Sequence, residues 1–130
     1  MSHLKVFVYG TLKVGGSNAN PYDMVRVSSK KAYTLGHLFN VNNHFPAAIF
    51  GSEKSRIYGE IHEYSDPEET QTRLNRLEGC REENDPNNLY NHKTIEVFSN
   101  GEVESCLAYE FNREVNNLPI IPSGVWEINK

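Results

Sequence analysis

The chain has 130 residues, 38% apolar and 11% aromatic, and a formal charge of -4. Residues 1–130 therefore read as a single domain with its own core, too apolar to be disordered. A modest charge of mixed sign lacks the basic stripe of a nucleic-acid binder, and no apolar run approaches the ~20 residues of a membrane span.

Met1-Ser2-His3 runs into an apolar stretch without the h-region of a secretory leader. The expectation is a soluble cytoplasmic protein in which Cys80 and Cys106 are free thiols. Leu4 to Tyr9 is apolar on both alternating faces except at Lys5, the pattern of a strand covered on both sides. It stops at Gly10, and Gly15-Gly16-Ser17-Asn18 continues a loop. Asn20-Pro21 is a helix-start pair, and Met24, Val25 and Val27 predict a short helix after it.

From Lys31 to Val41, alternation puts Tyr33, Leu35, Phe39 and Val41 on one face, with His37 among them. Ala47 to Phe50 is a short apolar run stopped by Gly51-Ser52, and Arg56 to Tyr64 reads as a strand. Asp66-Pro67-Glu68-Glu69 then opens a helix with a capping residue, a first-position proline and an acid three places on. Gly79 is its expected stop, and Cys80 to Asn91 is polar and turn-rich. Lys93 to Phe98 and Val103 to Phe111 are strand-like, with Asn100-Gly101 between them as a strong hairpin signal. The tail from Pro119 to Trp126 carries two prolines and is expected to pack extended against the body, outside any central ladder. Five or six strands and two short helices make an α+β domain with its sheet curled into a small barrel.

Two features carry chemistry. At Tyr9-Gly10-Thr11-Leu12 a glycine follows a strand end, so that backbone can approach a ligand and the next N–H groups can cradle an anion. A glycine that merely turns the chain fits the same residues. On the helix from Pro67, Thr70, Leu74 and Leu77 mark the inward side, and Glu78 lies roughly 40° around from Leu74. Partial burial and the negative helix end would both raise its pKa, which suits a proton shuttle. An ordinary glutamate at a frayed helix end is the alternative.

The rest are weaker. His37, His44, His62 and His92 are widely spaced and lack ligand spacing, so no metal site is expected. Cys80 has no oxyanion-elbow context for a nucleophile, and Glu82, Glu83 and Asp85 do not follow a calcium-loop pattern. Glu60, beside Gly59 on a strand, is the rival carboxylate.

Val6-Phe7-Val8-Tyr9-Gly10-Thr11-Leu12-Lys13 followed by Gly15 resembles the opening of the gamma-glutamylcyclotransferase family, which includes short bacterial proteins and the plant avirulence-induced group. The resemblance runs on through Leu35-Gly36-His37-Leu38-Phe39, Phe45-Pro46-Ala47, Gly59-Glu60-Ile61 and Leu74-Asn75-Arg76-Leu77-Glu78-Gly79. It continues through Leu89-Tyr90 and Ala108-Tyr109 to Ile121-Pro122-Ser123-Gly124-Val125-Trp126, nearly the whole chain in order. It implies a small mixed, mostly antiparallel β-barrel of five to seven strands flanked by short helices. It further implies that Tyr9, Gly10, Thr11 and Leu12 bind a glutamyl head through backbone amides and that Glu78 accepts the proton. The implied reaction cyclises a small-molecule gamma-glutamyl amine or amino acid to 5-oxoproline, without metal or organic cofactor and without nucleic-acid or membrane partners.

Three positions depart from the family pattern: Asn75 in place of aspartate, Asn91-His92 after Tyr90 where arginine is common, and Val125 before Trp126. They bear on substrate choice and local packing rather than on the glutamate. The wall for the leaving amine is expected from Asn42-Asn43-His44-Phe45 and Glu82 to Tyr90. Two alternatives stay open: a non-catalytic module that keeps the pocket to bind a small ligand or protein, and a hydrolase that releases glutamate. Oligomeric state is not readable from the sequence.

Overall fold

The computed structural model describes residues 3–10, 13, 26–51, 55–80 and 86–126. Its elements are β1 (Leu4–Val8), β2 (Arg26–Val41), β3 (Phe45–Phe50), β4 (Arg56–Tyr64), α1 (Pro67–Leu77), β5 (Tyr90–Ser99) and β6 (Glu102–Phe111). β1 pairs antiparallel with β4, Leu4 opposite Tyr64 and Val8 opposite Glu60, and parallel with β6 at Val6 and Leu107. β2 runs antiparallel to β4, β5 and β6 form a hairpin, and Tyr33 opposite Phe98 joins β2 to β5. The strands β2-β4-β1-β6-β5 therefore close into a five-stranded mixed barrel, and β3 folds back on the second half of β2 as an extra strand. The barrel expected from the sequence is present.

β1 is covered on both faces, as its unbroken apolar run requires. Phe7 and Tyr9 join one core cluster with Ile57, Ile61, Val97 and Ala108. Val6 and Val8 join the other, with Leu74, Tyr90 and Tyr109. In β2 the buried face is the one opposite Tyr33, Leu35, Phe39 and Val41. Ala32, Thr34, Gly36 and Leu38 are buried, while Tyr33, Leu35, His37 and Phe39 are half-covered. A five-stranded barrel has little interior room, and Phe7, Tyr9 and Ile57 already occupy it, so β2 turns its smaller residues inward. The bulky face seals the outside of the closure. Tyr33 stacks on Phe98 at 5.2 Å, meets Tyr58 at 6.0 Å, and carries the Arg56 guanidinium 4.3 Å above its ring.

Two other expectations change. Val27 belongs to β2 and is exposed, whereas Met24 and Val25 lie outside the described residues. β5 begins at Tyr90, ahead of Lys93, because the Tyr90 side chain is buried among Phe45 and Phe111. The hairpin turn is as read, with Asn100 at φ 53° and Gly101 at φ 79°.

α1 starts where its capping signals put it: the Asp66 carboxylate accepts the Glu69 N–H, and Pro67 takes the first position. Thr70 and Leu74 are buried, but Leu77 is 41% exposed, so the inward stripe ends one turn before the helix does. Gly79 terminates the helix at φ +66°, where an L side chain is strained. Its N–H donates to the Arg76 carbonyl at 3.3 Å, and the Cys80 N–H donates to the Asn75 carbonyl at 2.7 Å. This pair of bonds is a Schellman closure. The tail packs along the barrel but is not extended throughout. Ile120 bridges Phe39 of β2, and the Ile121 N–H donates to the Leu38 carbonyl at 2.7 Å. The Gly124 N–H turns back on the Ile121 carbonyl at 3.0 Å, and the Gly124 carbonyl accepts the Tyr58 N–H at 2.8 Å.

Candidate active site

The end of β1, the C-terminal end of α1, the starts of β3 and β5 and Tyr109 of β6 line a half-open cavity of about 180 Å³. Glu78 is in its wall. It is the C-cap of α1, one residue past the last helical turn in which the sequence placed it. The Glu78 N–H donates to the Leu74 carbonyl at 2.9 Å, and its carbonyl accepts the Tyr90 N–H at 3.2 Å. The residue is thus fixed on both sides of its α-carbon. Burial pushes its carboxyl up to about 7. Arg76 is exposed, and Arg81 lies outside the described residues.

Three tyrosines line the cavity with Glu78. The Tyr9 hydroxyl donates to the Tyr109 carbonyl at 2.6 Å, and the Tyr90 hydroxyl donates to the Pro46 carbonyl at 2.7 Å. The Tyr109 hydroxyl donates to Asn75 Oδ1 at 2.6 Å. Burial raises Tyr9 and Tyr90 above the ordinary phenol range; Tyr90 adds to the effect on Tyr9, and Glu78 adds to it on both. Both phenols stay protonated at neutral pH and are already committed as donors. Among the described residues lining the cavity, Glu78 carries the only carboxyl, the one that burial raises to about 7.

The cavity also brings Tyr9 and Gly10 to Glu78, as expected. A Cβ on Gly10 would stand 2.6 Å from Pro46 Cγ and 2.9 Å from its Cδ, so the strand end can abut Pro46 only as glycine. Thr11 and Leu12 lie outside the described residues. Of the expected leaving-group wall, Phe45, Leu89 and Tyr90 line the cavity, while Asn42, Asn43 and His44 form an exposed turn. Sequence reasoning assigned no role to Pro46 or Tyr109. Both stand inside motifs that carried the resemblance, and that was the signal available for them.

The rival groups lie elsewhere. Glu60 does not line the cavity; its carboxylate meets Nε2 of the buried His62 at 2.8 Å, and Nδ1 of that ring meets the Tyr64 hydroxyl at 2.9 Å. Cys80 and Cys106 are buried free thiols in separate clusters, and burial pushes Cys106 up to about 11. Among the described residues no three His, Cys, Asp or Glu side chains group to hold a metal. Nor is any helix among them long and apolar enough to cross a membrane. Of the departures, Asn75 holds the Tyr109 hydroxyl, Asn91 accepts from Asn88 Nδ2 at 2.9 Å, and Val125 is exposed.

Residues 6–128 match the family model described as gamma-glutamyl cyclotransferase, AIG2-like. The chain belongs to that family. The gamma-L-glutamyl-butirosin B gamma-glutamyl cyclotransferase of Niallia circulans is 31% identical over 109 residues, 84% of this chain and 67% of that protein. The crystal structure of YkqA from Bacillus subtilis superposes with a TM-score of 0.71 at 26% identity, over 95% of this chain and 39% of YkqA. The chain therefore spans about two fifths of that protein. An AIG2-like protein from Mus musculus gives a TM-score of 0.73 over 100% of this chain and 97% of its own, and at 21% identity it shares the fold alone. The barrel described above is the one found in these solved relatives, and the motif from Leu74 to Gly79 and the step at Tyr9-Gly10 both fall within the matched family segment.

Proposed function

We propose that the chain cyclises a gamma-glutamyl amide to 5-oxoproline and releases an amine, with Glu78 carrying the proton. The observation that supports this most is the position of Glu78: a carboxylate with a pKa of about 7 in the wall of a small, largely apolar cavity. At neutral pH about half of such carboxylates are ionised and can accept a proton, and the rest can return one. The substrate's α-ammonium gives a proton to Glu78, and the freed amine attacks the γ-carbonyl carbon. The oxyanion that forms collapses, and the bond to the leaving nitrogen breaks as that nitrogen takes the proton back from Glu78. The ring nitrogen gives up its second proton through Glu78 to the departing amine or water. Atoms and charge balance with no redox partner.

Nucleophile and electrophile belong to one molecule, so the protein has only to hold a bent conformer. Such orientation lowers a barrier by up to ~7–11 kcal/mol, and a placed general base contributes roughly 10²–10⁴ in rate. Cavity size supports the same reading. A void of ~150 Å³ takes up benzene, so about 180 Å³ suits a folded glutamyl head rather than a large leaving group. The N–H groups of Gly10, Thr11 and Leu12 anchor the α-carboxylate or the developing oxyanion. Buried free Cys80 and Cys106 fit a cytoplasmic setting.

The test is product identity across a panel of gamma-glutamyl amines and gamma-glutamyl amino acids. Release of 5-oxoproline from at least one member is expected. Free glutamate in its place means a hydrolase, and silence with a ligand-raised Tm means a binding module; either result rejects the proposal.

A further inference from the structure

Tyr109 is 3% exposed on β6 and also lines the cavity. Its hydroxyl reaches out of β6 to Asn75 Oδ1 at 2.6 Å, on the turn of α1 that precedes Glu78. Asn75 is held a second time, because its carbonyl accepts the Cys80 N–H at 2.7 Å and so closes the Schellman turn around Gly79. The carbonyl of Tyr109 in turn accepts the Tyr9 hydroxyl at 2.6 Å. One residue thus joins the strand end that lines the cavity to the helix end that carries the carboxylate. Glu78 lies three residues after Asn75, on the same side of the helix.

We propose that Tyr109 and Asn75 are a positioning pair. Their hydrogen bond fixes the turn bearing Glu78 against the barrel with a neutral acceptor, so that no second charge stands beside the carboxylate. The inference rests on the assignment of Glu78 as proton carrier. A packing role alone would need the Tyr109 ring but not its hydroxyl, and any side chain of similar size would serve at position 75. The titratable groups that line the cavity with Glu78 from the other elements are Tyr9 just past the end of β1, Tyr90 on β5 and Tyr109 on β6. Asn75→Asp keeps an acceptor for the hydroxyl but adds a like charge one turn from Glu78, which favours the protonated carboxyl.

The experiment compares wild type with Tyr109→Phe, Asn75→Ala, their double variant, Asn75→Asp and Glu78→Gln. The Glu78 carboxyl is titrated by carbon NMR, and 5-oxoproline release is measured as kcat and KM on one gamma-glutamyl substrate. Asn75→Asp is expected to raise the Glu78 midpoint by about one pH unit while retaining the fold. Tyr109→Phe and Asn75→Ala are each expected to lower kcat about 10- to 100-fold with KM within about twofold. The double variant should fall no further than the worse single one, as for residues that act as a unit. Equal titration curves in wild type, Asn75→Asp and Tyr109→Phe would overturn the pair, as would additive losses in the double variant. Glu78→Gln separates the two claims. If it is inactive while Tyr109→Phe matches wild type, only the pair fails; if it turns over normally, the role of Glu78 fails first and the pair loses its object.

Discussion

The carbonyl of Glu78 accepts the N–H of Tyr90 at 3.2 Å, tying the end of α1 to the first residue of β5. The Tyr90 hydroxyl then donates to Pro46, whose ring rests against Gly10. Two backbone-anchored contacts therefore connect the carboxylate to the opposite wall of the cavity. Such a site is built on helix and strand ends rather than on free loops, which is what holding a bent substrate requires.

The pH dependence of turnover follows from the raised Glu78 carboxyl. Burial holds Glu78 at about 7. As the base it must be ionised in the free enzyme, so kcat/KM is expected to rise with pH through a midpoint near 7. The pH profile of 5-oxoproline release from pH 5 to 9 measures it. A flat profile across that range would assign the proton to another group.

Stability should move the other way. The folded-state pKa of Glu78 is raised from 4.5 to about 7, so the folded protein binds the proton more tightly than the unfolded chain does. This contribution is fully present below pH 4.5 and is lost as pH rises through about 7. Replacing Glu78 with Gln removes the loss. The variant is expected to be more stable than wild type at pH 8 by about 1–3 kcal/mol, with little of that difference at pH 4. Thermal or urea unfolding of both proteins at the two pH values checks the sign. A Gln variant less stable than wild type at pH 8 would show that the carboxylate makes favourable contacts in the fold.

Gly10→Ala tests the close approach at the end of β1. The new methyl would lie 2.6 Å from Pro46 Cγ, within a wall that the Tyr90 hydroxyl also holds. Overpacking of this kind costs about 1–3 kcal/mol, and the displaced strand end should lower kcat/KM together with Tm. Unfolding midpoints with steady-state kinetics report both. An alanine variant with unchanged values would mean that Gly10 only turns the chain.

Much of this architecture was legible because local chemistry and tertiary context agree. Arg56–Tyr64, the Asp66-Pro67 helix start, the Gly79 stop and the Asn100-Gly101 turn each carry their own backbone signal, and each stands where the residues put it. Where the two diverge, tertiary packing decides. The face of β2 to be buried is set by the narrow barrel interior, so Ala32 and Leu38 enter while Tyr33 and Phe39 stay half-covered. Val27 joins β2 because β4 extends far enough to pair with Arg26, a long-range fact that periodicity cannot supply. In the site, helical geometry placed Glu78 at the edge of the buried face. It could not show that Tyr109 reaches Asn75 from β6, since that contact spans 34 positions. Thr11 and Leu12 remain readings of the sequence motif alone.

The most direct test is 5-oxoproline release by Glu78→Gln beside Glu60→Gln, on the gamma-glutamyl substrate that wild type turns over best. Glu78→Gln should keep its fold and ligand affinity and lose roughly 10²–10⁴ in kcat. Glu60→Gln retains an oxygen for His62 outside the cavity and should keep most activity. Normal turnover by a folded Glu78→Gln variant would contradict the account.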